Sequence, residues 1–242
     1  MKTACITGSS RGIGKAIALR LAADGFRILL HGVSRSEHIL QLKEEIESRG
    51  GTAEILTADL CNLDQTRALG AQLENVDVLV LNASVQCRNP WQNITEEECR
   101  SQLNCNFVSS LLLIQSVAEY MKERKWGRIV TVGSVQEAKP HPDMLVYSAS
   151  KAAQTNMMQS LALQLASYGI TVNNVAPGVI YTDRNLQVLS DPVYAKKVTD
   201  SIPVGFYGEP RDCAGIVSLL CSEEGRYITG QSIYVDGGKG IA

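Results

Sequence analysis

One tyrosine in the sequence stands four residues before a lysine, in the stretch MLVYSASKAAQ that begins at Met144. Positions i and i+4 lie on one face of a helix, so Tyr147 and Lys151 are expected to project side by side. A free tyrosine titrates at about pH 10, which is too high for ready proton transfer at neutral pH. A neighbouring ammonium group favours the phenolate and is expected to lower that pKa. The pair is therefore a candidate general acid and base, with chance spacing as the alternative.

A glycine-rich turn near the amino terminus is the second candidate ligand site. The predicted strand Lys2–Thr7 leads into Gly8, Gly12 and Gly14, and an amphipathic helical pattern follows over Gly12–Ala23. Glycine lets the backbone turn sharply and approach a phosphate closely, while the first amides of the helix point towards an anion. A strand before the glycines and a helix after them favour dinucleotide binding over an ordinary turn.

The residues after the second predicted strand indicate which dinucleotide binds. An NAD site usually places an acidic residue about 20 residues past the glycines, on the ribose 2′-hydroxyl. Here the chain reads HGVSR from His31, with no acid. Arg11 and Arg35 can instead pair with a 2′-phosphate, helped by the Ser34 hydroxyl. The sequence therefore favours NADP(H) over NAD(H), the alternative being two solvated surface arginines.

Short apolar runs alternate with longer helical patterns along the whole chain. Near-continuous apolar strands are typical of a parallel sheet that is covered by helices on both faces. The alternation predicts an α/β fold with a doubly wound parallel sheet of about seven strands. The predicted strands are Lys2–Thr7, Arg27–His31, Ala53–Thr57, Val76–Leu81, Arg128–Val132, Ile170–Val175 and Ser232–Val235. The predicted helices are Gly12–Ala23, Ser36–Arg49, Asn62–Leu73, Glu96–Glu123, Tyr147–Ser167 and Arg211–Ser222.

One segment, residues 181–209, fits the alternation poorly, because it is long, mixed and punctuated by proline. Long loops in compact domains are usually functional, and ligands bind at the carboxyl ends of parallel strands. We therefore expect a lid over the substrate, with an apolar inner surface from Tyr181, Leu186, Val188 and Leu189. No repeat or flexible linker interrupts the chain, so residues 1–242 are expected to form one domain.

Composition limits the class of partner. With 45% apolar and 20% charged residues the chain can bury a full core, and its net charge of −2 comes from well-mixed charges. No basic stripe indicates nucleic acid, and the apolar runs are too short to span a membrane. The amino terminus does not resemble a signal peptide. The seven scattered cysteines and three histidines predict free thiols and no metal site. A cytoplasmic enzyme acting on a small molecule is expected.

Together these motifs resemble those of the short-chain dehydrogenase/reductase family, nearly from end to end. The loop Thr7–Gly14 resembles the family's Thr-Gly-x-x-x-Gly-x-Gly, and YSASK resembles its Tyr-x-x-x-Lys. Ser134 in TVGSV stands at the family's distance before the tyrosine, and Asn106 in LNCNFV matches its helix asparagine. The resemblance implies an NAD(P)-binding Rossmann fold, a carbonyl or secondary-alcohol substrate, and a catalytic set of Asn106, Ser134, Tyr147 and Lys151.

The resemblance also implies a role for each residue. Tyr147 protonates the carbonyl oxygen as hydride arrives from the nicotinamide, and Ser134 donates a hydrogen bond to that oxygen. Lys151 also binds the ribose, and Asn106 holds a water that links Lys151 to solvent. The implied cofactor contacts are Gly8, Ser10, Arg11, Gly12, Ile13, Gly14, Ser34, Arg35, Asp59, Leu60, Asn82, Ala83, Tyr147, Lys151, Pro177, Gly178 and Thr182.

Two departures concern the cofactor loop and the substrate. The family's Asn-Asn-Ala-Gly reads Leu81-Asn82-Ala83-Ser84 here, and we expect the turn to tolerate Ser84. The most similar members are 3-oxoacyl-[acyl-carrier-protein] reductases, whose carrier protein docks on arginines. One of those positions is Tyr168 here, whereas the stretch KERKWGR keeps Lys122, Arg124, Lys125 and Arg128. Half of the basic patch is missing, so a carrier protein is a doubtful partner.

The substrate stays open between a 3-oxoacyl thioester and a sugar, polyol, steroid or small ketone. Arg88 follows the fourth predicted strand and is a candidate for binding an anionic substrate, with Cys87 and Trp91 beside it; a surface arginine is the alternative. A protein that binds NADP without turnover is the alternative from another functional class, and the tyrosine argues against it. Apolar residues beyond one helix face in Tyr147–Ser167 favour a homotetramer.

Overall fold

The chain is built around one parallel β-sheet. This computed structural model describes the backbone of residues 1–242 and the side chains of residues 1–186 and 190–242. The strands are β1 (Thr3–Ile6), β2 (Arg27–Gly32), β3 (Ala53–Thr57), β4 (Val78–Leu81), β5 (Gly127–Val132), β6 (Ile170–Pro177) and β7 (Ser232–Val235). Over the described backbone they pair in the order β3-β2-β1-β4-β5-β6-β7, always in parallel. The predicted doubly wound sheet is therefore confirmed. β2 and β3 are added on one side of β1 and β4 to β7 on the other, and such sheets bind ligands at the switch point between β1 and β4.

Helices cover both faces of the sheet. They are α1 (Gly12–Ala23), α2 (Glu37–Ser48), α3 (Leu63–Gly70), α4 (Glu96–Leu103), α5 (Ser109–Arg124), α6 (Leu145–Leu165), α7 (Asp183–Leu189), α8 (Pro192–Asp200) and α9 (Pro210–Cys221). In β1, Ala4 and Ile6 pack beneath α1, α2 and α9, whereas Cys5 packs on the other face with α3, α5 and α6. This alternation follows from the period of two along a strand and gives the two buried cores.

The predicted helix Glu96–Glu123 is two helices in the structure, α4 and α5. A π-helical turn, Asn104–Val108, separates them. Such turns insert one extra residue into a helix and are frequent at functional sites. Here the turn directs the side chain of Asn106 into the interior, where it is fully buried. Helical periodicity did not reveal the turn, because its sequence continues the pattern of the helices around it.

The segment 181–209, predicted to be irregular, contains α7 and α8. Pro192 was read as punctuation, yet it occupies the first turn of α8. Proline suits that position because its fixed φ is helical and it lacks only an amide that would have no helical partner. The Asp191 carboxylate caps the same helix by accepting a hydrogen bond from the Val193 amide at 2.9 Å. Proline thus starts a helix here.

The basic stretch between α5 and β5 lies at the amino-terminal edge of the sheet, opposite the carboxyl ends of the strands. Arg128, which was grouped with this exposed patch, is only 2% exposed. Its guanidinium donates to the carbonyls of Gly127 and Ser222 at 2.9 and 3.2 Å and stacks 4.4 Å from the Trp126 ring. Arg128 therefore joins secondary-structure elements and is not a surface residue. Within the described part of the chain, no helix is long and apolar enough to cross a membrane.

Candidate active site

A cleft of about 610 Å³ opens at the carboxyl edge of the sheet. It is lined by the loops that follow β1 to β6 and by residues of α7 and α8. Of the residues predicted to contact the cofactor, those in the lining are Gly8, Ser10, Arg11, Gly12, Ile13, Gly14, Asp59, Leu60, Asn82, Ala83, Tyr147, Pro177, Gly178 and Thr182. Ser34 and Arg35 are exposed on the turn after β2, beside Val33, which lines the cleft. Because the strands are parallel, the loops after six of them lie at the same edge of the sheet and line one cleft.

The glycine-rich loop holds its shape through positive φ and close packing. Gly8 and Gly12 have φ values of +63° and +56°, in the region that favours glycine. A Cβ atom on Gly14 would lie 2.3 Å from the Gly8 carbonyl oxygen, so no other residue fits there without a backbone shift. The Asn82 amide group donates to the carbonyls of Thr7 and Gly8 at 2.9 and 3.0 Å. The loop is therefore preformed, tied to the end of β4 and open to a phosphate.

His31, at the end of β2, holds the glycine-rich loop by a hydrogen bond. Its Nδ1 accepts a hydrogen bond from the Gly8 amide at 3.1 Å, so the ring is neutral and Nε2 donates to the Ala58 carbonyl at 3.1 Å. Burial lowers the pKa of His31 to about 4 and outweighs the contact with Ala58, which raises it. Sequence analysis treated His31 only as the end of a strand, although a polar residue directly after the apolar run Ile28–Leu30 was a signal.

Tyr147 and Ser134 lie together on the wall of the cleft, and both are more than nine-tenths buried. Lys151 lies behind Tyr147 and is 1% exposed, with Nζ 5.9 Å from the centre of the tyrosine ring. Its ammonium donates to the Val132 carbonyl at 2.7 Å and to the Gln154 side chain at 3.1 Å. Desolvation by burial lowers the pKa of Lys151 to about 8, and the charge of Arg184 acts in the same direction.

Asn106 joins the π-helical turn to the neighbouring elements. Its side chain donates to the Val85 carbonyl and to Ser150 Oγ, both at 2.9 Å, and accepts from the Val85 amide at 2.8 Å. Ser150 in turn donates to the Tyr147 carbonyl at 2.7 Å. Ser150 was not among the predicted site residues, because serine in a helix carries no such signal by itself. Asn106 thus fixes the start of α6, which carries Tyr147.

Glu137 anchors the short turn that carries Ser134. Its carboxylate accepts hydrogen bonds from Asn174 on β6 at 2.9 Å, Thr155 on α6 at 2.8 Å and Ser232 on β7 at 2.5 Å. Hydrogen bonds from β6, α6 and β7 therefore hold Glu137, the last residue of this turn. Sequence analysis did not predict this role of Glu137, since the donors come from distant parts of the chain.

The expected lowering of the pKa of Tyr147 by Lys151 is wrong for this arrangement. Burial raises the pKa of Tyr147, and the influences that oppose burial come first from the charge of Arg184 and then from Ser134. The Lys151 ammonium donates to the Val132 carbonyl, and Lys151 is not among the influences on the pKa of Tyr147. Arg184, on α7, was absent from the predicted site, because nothing in its sequence neighbourhood distinguishes it from a surface residue.

The expected apolar lid is only partly present. Tyr181 and Leu186 are 51% and 40% exposed and do not line the cleft, while the side chains of Val188 and Leu189 lie outside the described residues. From this region the cleft is lined by Thr182, Asp183, Arg184, Asn185, Tyr194 and Val198, a more polar set.

Of the residues expected near the substrate, Arg88 lines the cleft. Cys87 is absent from the lining, and Trp91 is 68% exposed and also absent from it, so the expectation for these two is wrong. Among the described side chains, no group of three or more His, Cys, Asp or Glu could hold a metal ion.

Comparison with known proteins gives the family. A family model described as short chain dehydrogenase matches residues 2–192. The chain belongs to this family of oxidoreductases. It is 37% identical to a glucose 1-dehydrogenase of Gluconobacter oxydans (strain 621H), over 98% of this chain and 91% of the relative. It is 35% identical to a 3-oxoacyl-[acyl-carrier-protein] reductase of Staphylococcus aureus (strain Mu50), over 98% and 97%.

Solved structures of the family have the same fold. The crystal structure of a 3-oxoacyl (acyl-carrier-protein) reductase from Agrobacterium tumefaciens C58, with NADP bound, superimposes with a TM-score of 0.93. The two sequences are 36% identical over 98% of this chain and 93% of that one. These comparisons confirm the resemblance read from the motifs. Because the relatives include both a sugar dehydrogenase and acyl-thioester reductases, the family by itself does not identify the substrate.

The first prediction concerns acid stability. The folded-state pKa of His31, about 4, lies below the ordinary 6.5, so protonation favours the unfolded chain. The stabilisation is present above pH 6.5 and is lost as the pH falls from 6.5 towards 4. We expect a loss of about 3 kcal/mol in the free energy of unfolding from this group, measured by urea unfolding across that range.

Carboxylates also titrate in this range, so the comparison with variants is decisive. His31→Asn keeps an acceptor for the Gly8 amide but cannot titrate, and its stability should fall less steeply with pH. His38→Asn alters an exposed histidine and should leave the wild-type slope unchanged. Equal slopes in all three proteins would refute the role of His31.

Proposed function

We propose that this enzyme interconverts a carbonyl and a secondary alcohol with NADP(H), and that Tyr147 is its general acid and base. The observation that carries the proposal is the pairing of Tyr147 with Ser134 on the cleft wall, with Lys151 one helical turn behind. The glycine loop fits a dinucleotide, because its positive φ angles and the absent Cβ of Gly14 leave room for a phosphate near the start of α1. NADP(H), when bound, supplies or takes up the hydride.

In reduction the carbonyl carbon gains a hydride and the carbonyl oxygen gains the proton of the Tyr147 hydroxyl. Oxidation reverses both transfers, so that the alcohol gives up one hydride and one proton. Ser134 donates a hydrogen bond to the same oxygen, where negative charge develops, and so stabilises the transition state. Lys151 contributes positive charge below its pKa of about 8. Asn106 is proposed to act through water in resupplying protons, as the family resemblance suggests.

The cofactor preference rests on the cations near the turn after β2. Arg35 and Ser34 are exposed there, and Arg11 projects from the glycine loop. Arg11 lies 3.7 Å from the Asp183 carboxylate, an exposed contact that is weak and easily exchanged for a phosphate. No acidic residue stands between His31 and Arg35 to bind a free 2′-hydroxyl or repel a 2′-phosphate. The binding of NADP by the Agrobacterium tumefaciens relative supports the same preference.

The carrier-binding patch of the reductase relatives is poorly supported here. Arg128 is buried, and the Lys122 ammonium pairs with Glu119 at 2.8 Å and lies 5.3 Å from the Tyr168 ring. Arg124 and Lys125 are the exposed cations that remain in this stretch. We therefore favour a substrate that is free of a carrier protein, whether it is an oxoacyl compound or a sugar derivative.

A homotetramer is proposed on the basis of exposed apolar side chains. Leu163 on α6 is 86% exposed, while Tyr227 and Ile241, near β7 in sequence, are 98% and 95% exposed. β7 is also an edge strand of the sheet, and such edges are usually covered. A mass of 26.3 kDa in light scattering, that of one chain, would contradict the proposal.

The second prediction tests the acid and base. Tyr147→Phe removes the ionisable hydroxyl and leaves the ring, so we expect kcat to fall by about 1,000-fold or more while the Kd for NADPH changes little. Turnover is followed at the NADPH absorbance and binding by its fluorescence. Tyr168→Phe, at the other edge of the sheet, is the control and should behave as the wild type. Substantial turnover by Tyr147→Phe would rule out this mechanism.

The third prediction tests the cofactor preference. Arg35→Ser removes a proposed partner of the 2′-phosphate, so we expect the Kd for NADPH to rise by about 10-fold while that for NADH stays within about two-fold. Arg124→Ser is the matched control on the opposite edge of the sheet. An equal change for both cofactors would mean that Arg35 does not read the 2′-phosphate.

The fourth prediction concerns the carrier protein. Acetoacetyl groups offered on coenzyme A and on acyl carrier protein should be reduced with kcat/KM values within about five-fold of each other, because the docking patch is incomplete. The assay follows NADPH consumption at low ionic strength, where docking on charges is strongest. A carrier preference of about 100-fold would overturn this part of the proposal.

A further inference from the structure

Arg184 occupies an unusual place in the cleft. It stands on α7, and its guanidinium donates to Ser84 Oγ at 3.1 Å and to the Ser84 carbonyl at 2.9 Å. Ser84 is the residue that replaces the family's glycine after β4. The serine hydroxyl therefore adds an acceptor that glycine could not offer, and the two contacts join the loop after β4 to the helix over the substrate. The contact with Arg184 therefore gives a structural role to the replacement of the family's glycine by Ser84.

The guanidinium also faces the reaction centre. Its charge reaches both Tyr147 and Lys151, since it favours the ionised form of the tyrosine and disfavours the ammonium of the lysine. Arg184 is therefore near the atoms where the carbonyl oxygen must bind. It is held there by neutral oxygens of Ser84, which fix its position without cancelling its charge.

No carboxylate neutralises this cation among the side chains that the structure describes. The adjacent Asp183 pairs with Arg11 instead. Over the whole cleft, the described lining contains five Lys or Arg side chains and two carboxylates, Asp59 and Asp183. Arg88 is one of these cations; burial lowers the pKa of the neighbouring His141, and the charge of Arg88 acts in the same direction. The substrate end of the cleft is thus electropositive.

A guanidinium has five N–H groups, and two are used on Ser84. The Tyr147 hydroxyl is a further hydrogen-bond partner of the guanidinium. The N–H groups that neither Ser84 nor Tyr147 uses can bind an oxyanion, for which arginine has the best geometry among the cationic side chains. Arg184 lines the cleft, and a cation at the wall of such a cleft attracts anions. We infer that Arg184, positioned by Ser84, binds a carboxylate of the substrate, so that the enzyme acts on hydroxy acids and oxo acids in preference to neutral alcohols and ketones.

This inference rests on the proposed function and names its substrate class. The carboxylate takes no part in the bond changes, because the hydride and the proton still leave from, or arrive at, the carbinol carbon and its oxygen. Arg184 only fixes where the carbon lies relative to Tyr147. An arginine in this role should affect acidic substrates and leave neutral ones of the same shape almost unaffected.

Binding is measured first, independently of turnover. Tyr147→Phe enzyme saturated with NADP⁺ is titrated by calorimetry with matched pairs, gluconate against sorbitol and 3-hydroxybutanoate against 1,3-butanediol. We expect at least one acid to bind about 10-fold or more tightly than its neutral partner. Adding Arg184→Met should weaken acid binding by about 30-fold and change the neutral compound by less than three-fold.

Turnover of the same pairs by enzyme with Tyr147 intact then separates the two proposals. Arg184→Met should lower kcat/KM for the acid mainly through KM, Arg184→Lys should lose less, and Ser84→Gly should raise KM for the acid by about five-fold. Arg124→Met, an exposed arginine on the far edge, is the control for the loss of one positive charge. NADPH affinity and circular dichroism of each variant exclude misfolding.

The outcomes are distinct. Acid preference that disappears with Arg184 supports the inference, even if no compound is turned over, in which case the proposed reaction fails and the binding site stands. Turnover of neutral compounds with no acid preference, or equal losses for both members of a pair, overturns the inference and leaves the proposed function intact. Faster turnover of both members in Arg184→Met would show that the arginine obstructs the site, and would also overturn it.

Discussion

The buried ammonium of Lys151 is the constraint on which the rest of the site depends. A cation that is 1% exposed must have its donors satisfied, because burying a charge without partners costs several kcal/mol. The Val132 carbonyl at the end of β5 and the Gln154 side chain supply the contacts. Gln154 is itself held by Ser110 at 2.8 Å, which donates to the Asn106 carbonyl at 3.2 Å. The hydrogen bonds that stabilise the buried Lys151 ammonium therefore also hold α6 against β5 and against the π-helical turn.

The π-helical turn has a physical reason within this network. An uninterrupted α-helix over this stretch would not contain the extra residue of the π-helical turn. The turn directs the Asn106 side chain to Val85 and Ser150, so that the loop after β4 and the start of α6 meet at one residue. The same loop carries Ser84. The glycine-rich loop, α6 and α7 are thereby connected through contacts that converge on the loop after β4.

Most of the fold was accessible from the sequence, because it depends on local patterns. The strands and helices agree with the expected bounds to within about three residues where the period is clear, as in β3 and α1. The position of Tyr147 beside Lys151 follows from helical spacing alone. The glycine loop was likewise predictable, since positive φ at Gly8 and Gly12 and close packing at Gly14 all favour glycine.

What the sequence could not provide depends on contacts between distant segments. Arg184 and Ser84 are 100 residues apart, and neither the position of Arg184 nor the replacement of the motif's glycine by Ser84 predicts that they meet. Arg128 was assigned to the surface because its neighbours in sequence are charged, whereas β5 carries it into the interior. The pKa of Tyr147 depends on burial and on the direction of the Lys151 side chain, which spacing does not determine. Local periodicity predicts elements well and side-chain environments poorly.

The electrostatics of the site give the proposed substrate carboxylate a second consequence. Burial lowers the pKa of Lys151 most, and the charge of Arg184 lowers it further, so Arg184 opposes the positive charge that the proposed mechanism assigns to Lys151. An anion bound to Arg184 would cancel much of this second contribution and so raise the pKa of Lys151, although burial would still lower it. The same anion would withdraw the influence that favours the ionised tyrosine and keep Tyr147 protonated, as reduction requires. An acidic substrate would therefore prepare the proton donor on binding, whereas a neutral substrate would leave the charges of Arg184 and Lys151 opposed beside Tyr147.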